Sequence, residues 1–164
     1  LDSMQHMFPE RLNENLKKAV AEQTSHGRKS VLIYGECHAF MDAYIANPCA
    51  VRVGGMNCVE IFLGRDSYRA LRNEGAFFLI PEWAVRWKDI FQKELGLNER
   101  NAKDFMKEMH KKIVYLDTGV SAANGKIISE ISEYTGLAVE IKKISLDVFL
   151  KTLEDAVKRL NAYE

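Results

Sequence analysis

The sequence is poor in cysteine and proline, carries no excess of either charge and contains no long apolar run. Cysteine and proline account for three residues each in a chain of 164. A small, odd number of cysteines in a chain of this size argues against a disulfide framework and favours reduced thiols or metal ligands. Twenty-three basic residues balance twenty-three acidic ones, so no net field attracts the chain to nucleic acid or to an anionic membrane.

Targeting signals and several well-known binding motifs are absent as well. No apolar run approaches the roughly 18 to 20 residues of a membrane helix, and the start at Leu1 lacks the features of a signal peptide. These absences predict a cytoplasmic protein. A dinucleotide fingerprint, a phosphate loop and the nucleophile elbow of serine hydrolases are missing, which disfavours nucleotide-dependent and serine-hydrolase functions. The corrinoid-binding pattern Asp-x-His-x-x-Gly is also missing.

The remaining composition is that of a globular chain. Hydrophobic residues make up 47% and charged residues 28%, which argues against disorder, coiled coils and collagen-like repeats. The length is close to the usual size of one domain. We therefore predict a single domain over residues 1–164.

Apolar runs alternate with amphipathic segments along the chain. Helical spacing predicts helices over residues 9–23, 65–73, 83–96, 98–109, 127–136 and 145–160. Compact apolar runs predict strands near Val31, Val51, Ile61, Phe78, Val114 and Val139. This alternation predicts an α/β fold with three layers, in which helices cover both faces of a mainly parallel, Rossmann-like sheet.

Polar residues follow three of the predicted strands. In a parallel sheet, ligands bind at the carboxyl ends of the strands, so these residues are candidates for a binding site. The candidate ligand-binding residues are Tyr34, Gly35, Glu36, His38, Arg52, Asn57, Glu60, Asp117, Thr118 and Gly119.

The cysteines have different expected roles. Cys49 follows Pro48 without polar neighbours and is expected to be a packing residue. Cys37 lies between a glutamate and a histidine, and function and packing both stay open because a thiolate needs a nearby cation or metal. Cys58 could simply begin a buried strand. A nucleophilic Cys37 activated by His38 is a further alternative, although adjacent residues at a tight turn often point apart.

Other polar and aromatic residues also have a structural interpretation. Arg52 lies in an apolar strand and needs a carboxylate or an anionic ligand if it is buried. Trp83 and Trp87 share a helical face and are expected in the core. His26 and His110 have polar neighbours in the sequence and are expected to be solvated.

A series of landmarks extends along the sequence. They are Leu1 with His6, Tyr34-Gly35-Glu36-Cys37, Arg52-Val53, Asn57-Cys58, Leu63-Gly64 with Tyr68, Phe77-Phe78 with Trp83, and Asp117-Thr118-Gly119. This series resembles a known family, labelled domain of unknown function 1638. They cover almost the whole chain, and their order and spacing carry the specificity. Asn57 replaces the family's usual aspartate, which removes a possible metal ligand or base. The family also implies a strand ahead of Leu1.

The resemblance implies a role in anaerobic one-carbon metabolism. Members of the family resemble companions of corrinoid-dependent methyltransferases in methanogens and anaerobic bacteria. The resemblance also implies that His6, Cys37 and Cys58 form a set. If the strand ends carry one site, the sulfurs of Cys37 and Cys58 should both face the carboxyl edge of the sheet. One imidazole and two thiolates with an open fourth position are a zinc arrangement that can activate a substrate thiolate for methyl acceptance.

Two hypotheses from different classes stay open. The first is an accessory or catalytic protein of methyl or corrinoid chemistry, with a Cys/His site for a metal or ligand. The second is a non-catalytic partner of a methyltransferase or corrinoid protein. In that case the cysteines are packing residues, and Trp83, Trp87 and the Met-rich helix contribute to an interface.

Overall fold

The computed structural model describes residues 5, 8–36, 48–121 and 124–162 and has a mixed α/β fold with parallel strands. Its elements in chain order are α1 (Pro9–Ser25), β1 (Ser30–Leu32), β2 (Ala50–Arg52), α2 (Cys58–Leu63), α3 (Arg65–Asn73), β3 (Ala76–Leu79), α4 (Pro81–Val85), a π-helix (Asp89–Glu94), α5 (Ala102–Met109), β4 (Lys112–Asp117), α6 (Gly125–Thr135), β5 (Val139–Lys143) and α7 (Asp147–Asn161). Among these residues no helix has both the length and the apolar character needed to cross a bilayer.

The chain divides into two compact units. The first unit comprises residues 1–65 and 147–164, and the second unit comprises residues 66–146. The single domain predicted over residues 1–164 stays a prediction.

A two-stranded parallel sheet, β1–β2, organises the first unit. Successive strand residues point to opposite faces of a sheet. Leu32 and Tyr34 accordingly pack in an apolar cluster with α1, whereas Val31 and Val51 pack in a cluster with α7. Helices therefore cover both faces of this sheet.

A three-stranded parallel sheet of order β3–β4–β5 organises the second unit. The central strand β4 carries the continuous buried run Ile113 to Leu116, as expected for a parallel strand covered on both faces. One face holds an apolar core to which α4, the π-helix, α5 and α6 contribute. On the other face, Tyr68 of α3 contacts Phe78 of β3 with their ring centroids 5.3 Å apart.

Five of the six predicted strands are confirmed, namely those near Val31, Val51, Phe78, Val114 and Val139. The strand predicted near Ile61 is wrong, because residues Cys58–Leu63 form α2. The side chain of Asn57 accepts a hydrogen bond of 2.9 Å from the backbone N–H of Glu60 and so caps this helix. A short apolar run suits a strand or a buried helix equally well, so the cap decides between them.

This difference changes the sheet. In the part of the chain that the structure describes, the parallel strands form two small sheets, where the sequence predicted one. The residues between β2 and β3 form α2 and α3, so no strand joins the two sheets at the position predicted near Ile61. The predicted α/β class with parallel strands is confirmed.

The segment predicted as one helix over residues 83–96 is helical but interrupted. Helix α4 ends at Val85, Arg86 forms a turn, residues 87–88 are α-helical and the π-helix follows. In that π-helix the N–H of Leu95 donates to the carbonyl of Ile90, five residues back, at 2.9 Å. The neighbouring residues Ile90 and Phe91 are both buried within this widened turn.

Candidate functional site

The carboxyl edge of the β1–β2 sheet brings two loops into contact. The N–H of Glu36 donates to the carbonyl of Met56 at 2.8 Å. A Cβ atom added to Gly35 would lie 2.5 Å from the Cα of Asn57, so this close approach requires glycine. The dipeptides Gly35-Glu36 and Met56-Asn57, which precede Cys37 and Cys58 in the sequence, therefore lie against each other.

Arg52 joins the same two loops. Its Nη1 donates to the carbonyl oxygens of Tyr34 at 3.3 Å, Val53 at 3.2 Å and Gly55 at 3.2 Å. Its Nη2 lies 3.7 Å from Oε1 of Glu36, and only 9% of the Arg52 side chain is exposed. The prediction that a buried Arg52 needs a carboxylate partner is confirmed, and backbone carbonyls complete its hydrogen bonding.

Helix α2 begins at this edge and carries two further candidate residues. Cys58 is its first residue, is half-buried and takes part in no disulfide. Glu60 is buried, and its Oε1 lies 3.6 Å from Nε of Arg65. The cap at Asn57 fixes the direction in which α2 leaves the loop. The cap at Asn57 thus sets the positions of Cys58 and Glu60 on α2.

Six of the ten predicted ligand-binding residues lie together with Cys58 at this edge, namely Tyr34, Gly35, Glu36, Arg52, Asn57 and Glu60. His6, Cys37 and His38 lie outside the described residues. Within the described ranges, no group of three or more His, Cys, Asp or Glu side chains could hold a metal ion.

The other predicted residues, Asp117, Thr118 and Gly119, follow β4 in the second unit. Oδ1 of Asp117 accepts a hydrogen bond of 2.9 Å from the N–H of Gly119, whose φ is 73°. This is the geometry of a tight turn that an aspartate stabilises and a glycine permits. Burial, with a smaller contribution from the Asp117 carboxylate, raises the pKa of Tyr115.

Trp83 and Trp87 belong to the core of the second unit, as predicted. Trp87 is 5% exposed and packs edge to face against Tyr134, with the ring centroids 5.1 Å apart. Met106 of α5 is buried too, so neither Trp87 nor Met106 is available for the predicted interface. Phe105 and Met109, on the same helix α5, are exposed.

The two histidines predicted to be solvated differ. His26 is exposed, and its Nδ1 lies 2.7 Å from the carbonyl oxygen of Glu22. His110 is half-buried with its ring edge-on to Phe77, the centroids being 5.2 Å apart, and burial lowers its pKa. The prediction for His110 is wrong because Phe77 of β3 covers its ring, a contact that the polar neighbours of His110 in the sequence do not indicate.

Sequence reasoning missed two clefts. One, of about 260 Å³, lies in the first unit beside the loop after β2, and Thr152, Asp155 and Arg159 of α7 line it. The other, of about 550 Å³, lies in the second unit beside Trp87 and Tyr134. The sequence carried one signal for the cleft in the first unit. The polar residues on α7 recur at helical spacing next to its apolar stripe.

The comparisons with known proteins identify a family. A family model described as "Protein of unknown function (DUF1638)" matches residues 1–153. No curated protein matches the chain, and no solved structure matches it. The match includes all the candidate residues at the edge of the β1–β2 sheet and at the end of β4. The chain therefore belongs to the family designated DUF1638.

Proposed function

We propose that this protein serves anaerobic one-carbon metabolism, as an accessory or catalytic protein, and binds a metal or soft ligand through His6, Cys37 and Cys58. The contact between the backbones of Gly35 and Asn57 carries this proposal. Cys37 follows Gly35 by two residues and Cys58 follows Asn57 by one, and consecutive Cα atoms are about 3.8 Å apart. This spacing supports the proposal that the two thiols lie near each other at this edge of the sheet.

The start of α1 supports the inclusion of His6. Oε1 of Gln5 accepts a hydrogen bond of 3.2 Å from Asn15, and the carbonyl of Gln5 accepts one of 2.9 Å from the N–H of Phe8. Leu12, in the N-terminal part of α1, belongs to the same apolar cluster as Tyr34, which follows β1. The residue that precedes His6 is therefore attached to the helix end that packs near this edge.

Two thiolates and one imidazole fit a zinc ion. When bound, zinc of this kind offers an open position at which a substrate thiolate is held and activated for methyl acceptance. The guanidinium of Arg52 donates to the carbonyls of Tyr34 and Gly55 and so holds the two loops together. Asn57 orients α2 and hence Cys58.

The proposed partner is a methyltransferase or a corrinoid protein in a reducing cytoplasm, where the thiols stay reduced. A contact of this chain with a corrinoid is part of the proposal, although the sequence lacks the corrinoid-binding pattern. The charge balance of the chain favours neither nucleic acid nor a membrane surface as a partner.

Elemental analysis of the anaerobically purified protein tests the metal site. We expect about one zinc per chain, and we expect Cys37→Ser and Cys58→Ser to lower the metal content and the melting temperature together, because metal bonds contribute to folding. The matched control is Cys49→Ser. It should keep the metal and change the free energy of unfolding by less than about 1 kcal/mol, because Cys49 is only half-buried.

Three results together would exclude the metal site. They are the absence of stoichiometric metal, no uptake on titration with zinc, and an unchanged melting temperature for Cys37→Ser. The second candidate function, a non-catalytic binding partner, would then replace it. Phe105 and Met109 favour that candidate, because 46% and 58% of these apolar side chains are exposed on α5.

A further inference from the structure

The small cleft of the first unit has charges of both signs on its walls. It encloses about 260 Å³ between the loop after β2, helix α2 and helix α7. Its charged lining residues are Glu60, Arg65, Asp155 and Arg159, so its acidic and basic groups balance. Cys58 does not line this cleft. A ligand bound in this cleft would therefore occupy a site separate from the proposed thiolate site.

Glu60 contributes a buried carboxylate to the cleft. Its side chain is 6% exposed, and its ion-pair partner among the described residues is Nε of Arg65, at 3.6 Å. This distance exceeds that of an N–H···O hydrogen bond. A carboxylate can accept several hydrogen bonds at its two oxygens, and the contact with Arg65 does not use them all. Glu60 therefore keeps acceptor capacity that a ligand with N–H groups would use.

Arg65 and Arg159 supply donors to the same cleft. Nη2 of Arg159 donates to the carbonyl oxygen of Arg52 at 2.8 Å, which anchors this guanidinium at the end of β2. Arg65 turns its Nε toward Glu60, and its side chain is 63% exposed. A guanidinium has five N–H donors in a planar fork that matches a carboxylate or a phosphate. Both residues thus have donors beyond those used in these contacts.

The rest of the lining leaves room for polar contacts. Val148, Thr152, Asp155 and Arg159 recur at helical spacing, so one face of α7 forms a wall of the cleft. The hydroxyl of Thr152 donates to the carbonyl of Val148 at 2.8 Å, which leaves its oxygen as an acceptor. No atom lies within 4 Å of a Cβ added to Gly54, so the loop backbone is open on this side.

We propose that this cleft binds a small zwitterion, with its ammonium group at Glu60 and its carboxylate or phosphate group at Arg65 and Arg159. A volume of 260 Å³ equals roughly nine water molecules at about 30 Å³ each. An amino acid or an aminoalkyl phosphate fits this space. The balanced charge of the lining also favours a ligand that carries both signs.

Isothermal titration calorimetry of the full chain as purified tests the proposal. The probes are L-alanine and O-phosphoethanolamine, with acetate, inorganic phosphate and ethylamine as ligands of a single charge. We expect a zwitterion to bind at least about tenfold more tightly than any single-charge probe, since each end makes its own charge-assisted contacts. The ratio between the two zwitterions shows which anionic group the arginines prefer.

Variants identify the residues responsible. Glu60→Gln and Arg159→Gln should each weaken binding by about tenfold or more. The matched controls are Glu154→Gln and Lys151→Gln on exposed positions of α7 outside the lining, and they should change the affinity by less than about twofold. Circular dichroism checks the fold of each variant. If Arg159→Gln does not fold, Arg65→Gln replaces it as the test of the anion-binding arginines, because the side chain of Arg65 is exposed.

Three outcomes would overturn the proposal: no binding of either zwitterion, equal binding of the single-charge probes, or equal losses in the control variants. The metal content of the same preparation separates this proposal from the thiolate site. Zwitterion binding by a preparation without metal would support the cleft independently of the zinc site. Stoichiometric zinc without zwitterion binding would support the zinc site and overturn the cleft proposal.

Discussion

Among the residues that the structure describes, those of the second unit form one large apolar core, whereas the buried apolar residues of the first unit belong to smaller clusters. In the second unit, a single cluster contains eleven buried residues, among them Trp87, Phe91 and Tyr115. The described clusters of the first unit contain five and two buried residues. Its two strands have three residues each, while the strands of the second unit have four to six.

Two charged side chains are buried in the first unit, which has the smaller apolar clusters. Arg52 and Glu60, whose side chains are 9% and 6% exposed, both belong to the first unit. Regions that bind ligands usually contribute less to stability, because polar groups held for a ligand replace apolar packing. Among the described residues, the largest apolar cluster thus lies in the second unit, and the buried charges lie in the first unit, where we propose the binding sites.

The largest expected effect comes from the core of the second unit. Phe91 is fully buried, and its ring contacts those of Phe77, Trp87 and Tyr134. Phe91→Ala should lower the free energy of unfolding by about 3 to 5 kcal/mol, because it removes a buried ring and leaves a cavity. Urea denaturation followed by circular dichroism measures this loss. The control Phe105→Ala, at a side chain 46% exposed, should cost less than about 1 kcal/mol. Similar losses in both variants would contradict the assignment of Phe91 to the core.

A smaller effect is expected at the edge of the β1–β2 sheet. Gly35→Ala would bring a methyl group within 2.5 Å of backbone atoms of Asn57, and we expect a loss of about 1 to 3 kcal/mol from overpacking. Gly54→Ala is the matched control, since its methyl group would meet no atom within 4 Å. It should be neutral or stabilising by up to about 1 kcal/mol. Urea denaturation measures the free energy of unfolding of both variants. Equal values would show that the two loops are not in close contact.

The smallest effect concerns the pH dependence of the second unit. Burial lowers the pKa of His110 below its ordinary value of 6.5, so the unfolded chain binds the proton more readily. The stability that neutral His110 contributes is fully present above pH 6.5 and is lost as the pH falls through the folded pKa. Melting temperatures between pH 7.5 and 5 should therefore fall less in His110→Gln than in the wild type. His26→Gln, at an exposed histidine, should follow the wild type, and a parallel decline in all three proteins would refute a role for His110.

Much of the fold was predictable because spacing within one element determines it. The buried run of β4 from Ile113 to Leu116 and the apolar stripe of α1 indicate a central strand and an amphipathic helix without further information. The strand predicted near Ile61 failed because the same apolar pattern suits a buried helix. The hydrogen bond from the Glu60 N–H to Asn57 settled that choice locally.

The candidate site was predictable in part. Placing polar residues at the carboxyl ends of parallel strands correctly grouped Glu36, Arg52, Asn57 and Glu60. The prediction could not specify the partners of Arg52, because three of them are backbone carbonyls that carry no sequence signal. It could not identify the contact of Gly35 with Asn57 either, since that contact depends on the pairing of β1 with β2.

Residue spacing and side-chain chemistry were enough to establish the parallel α/β class, the buried segments and the polar residues that follow the strands. These properties depend on neighbours within one helix, strand or turn. The cleft beside Glu60 required the folded chain, because α7 supplies one of its walls and Arg159 contacts Arg52 across 107 residues of sequence. Such contacts form when distant segments bury their apolar faces against one another, and the polar residues beside those faces are brought together as a result.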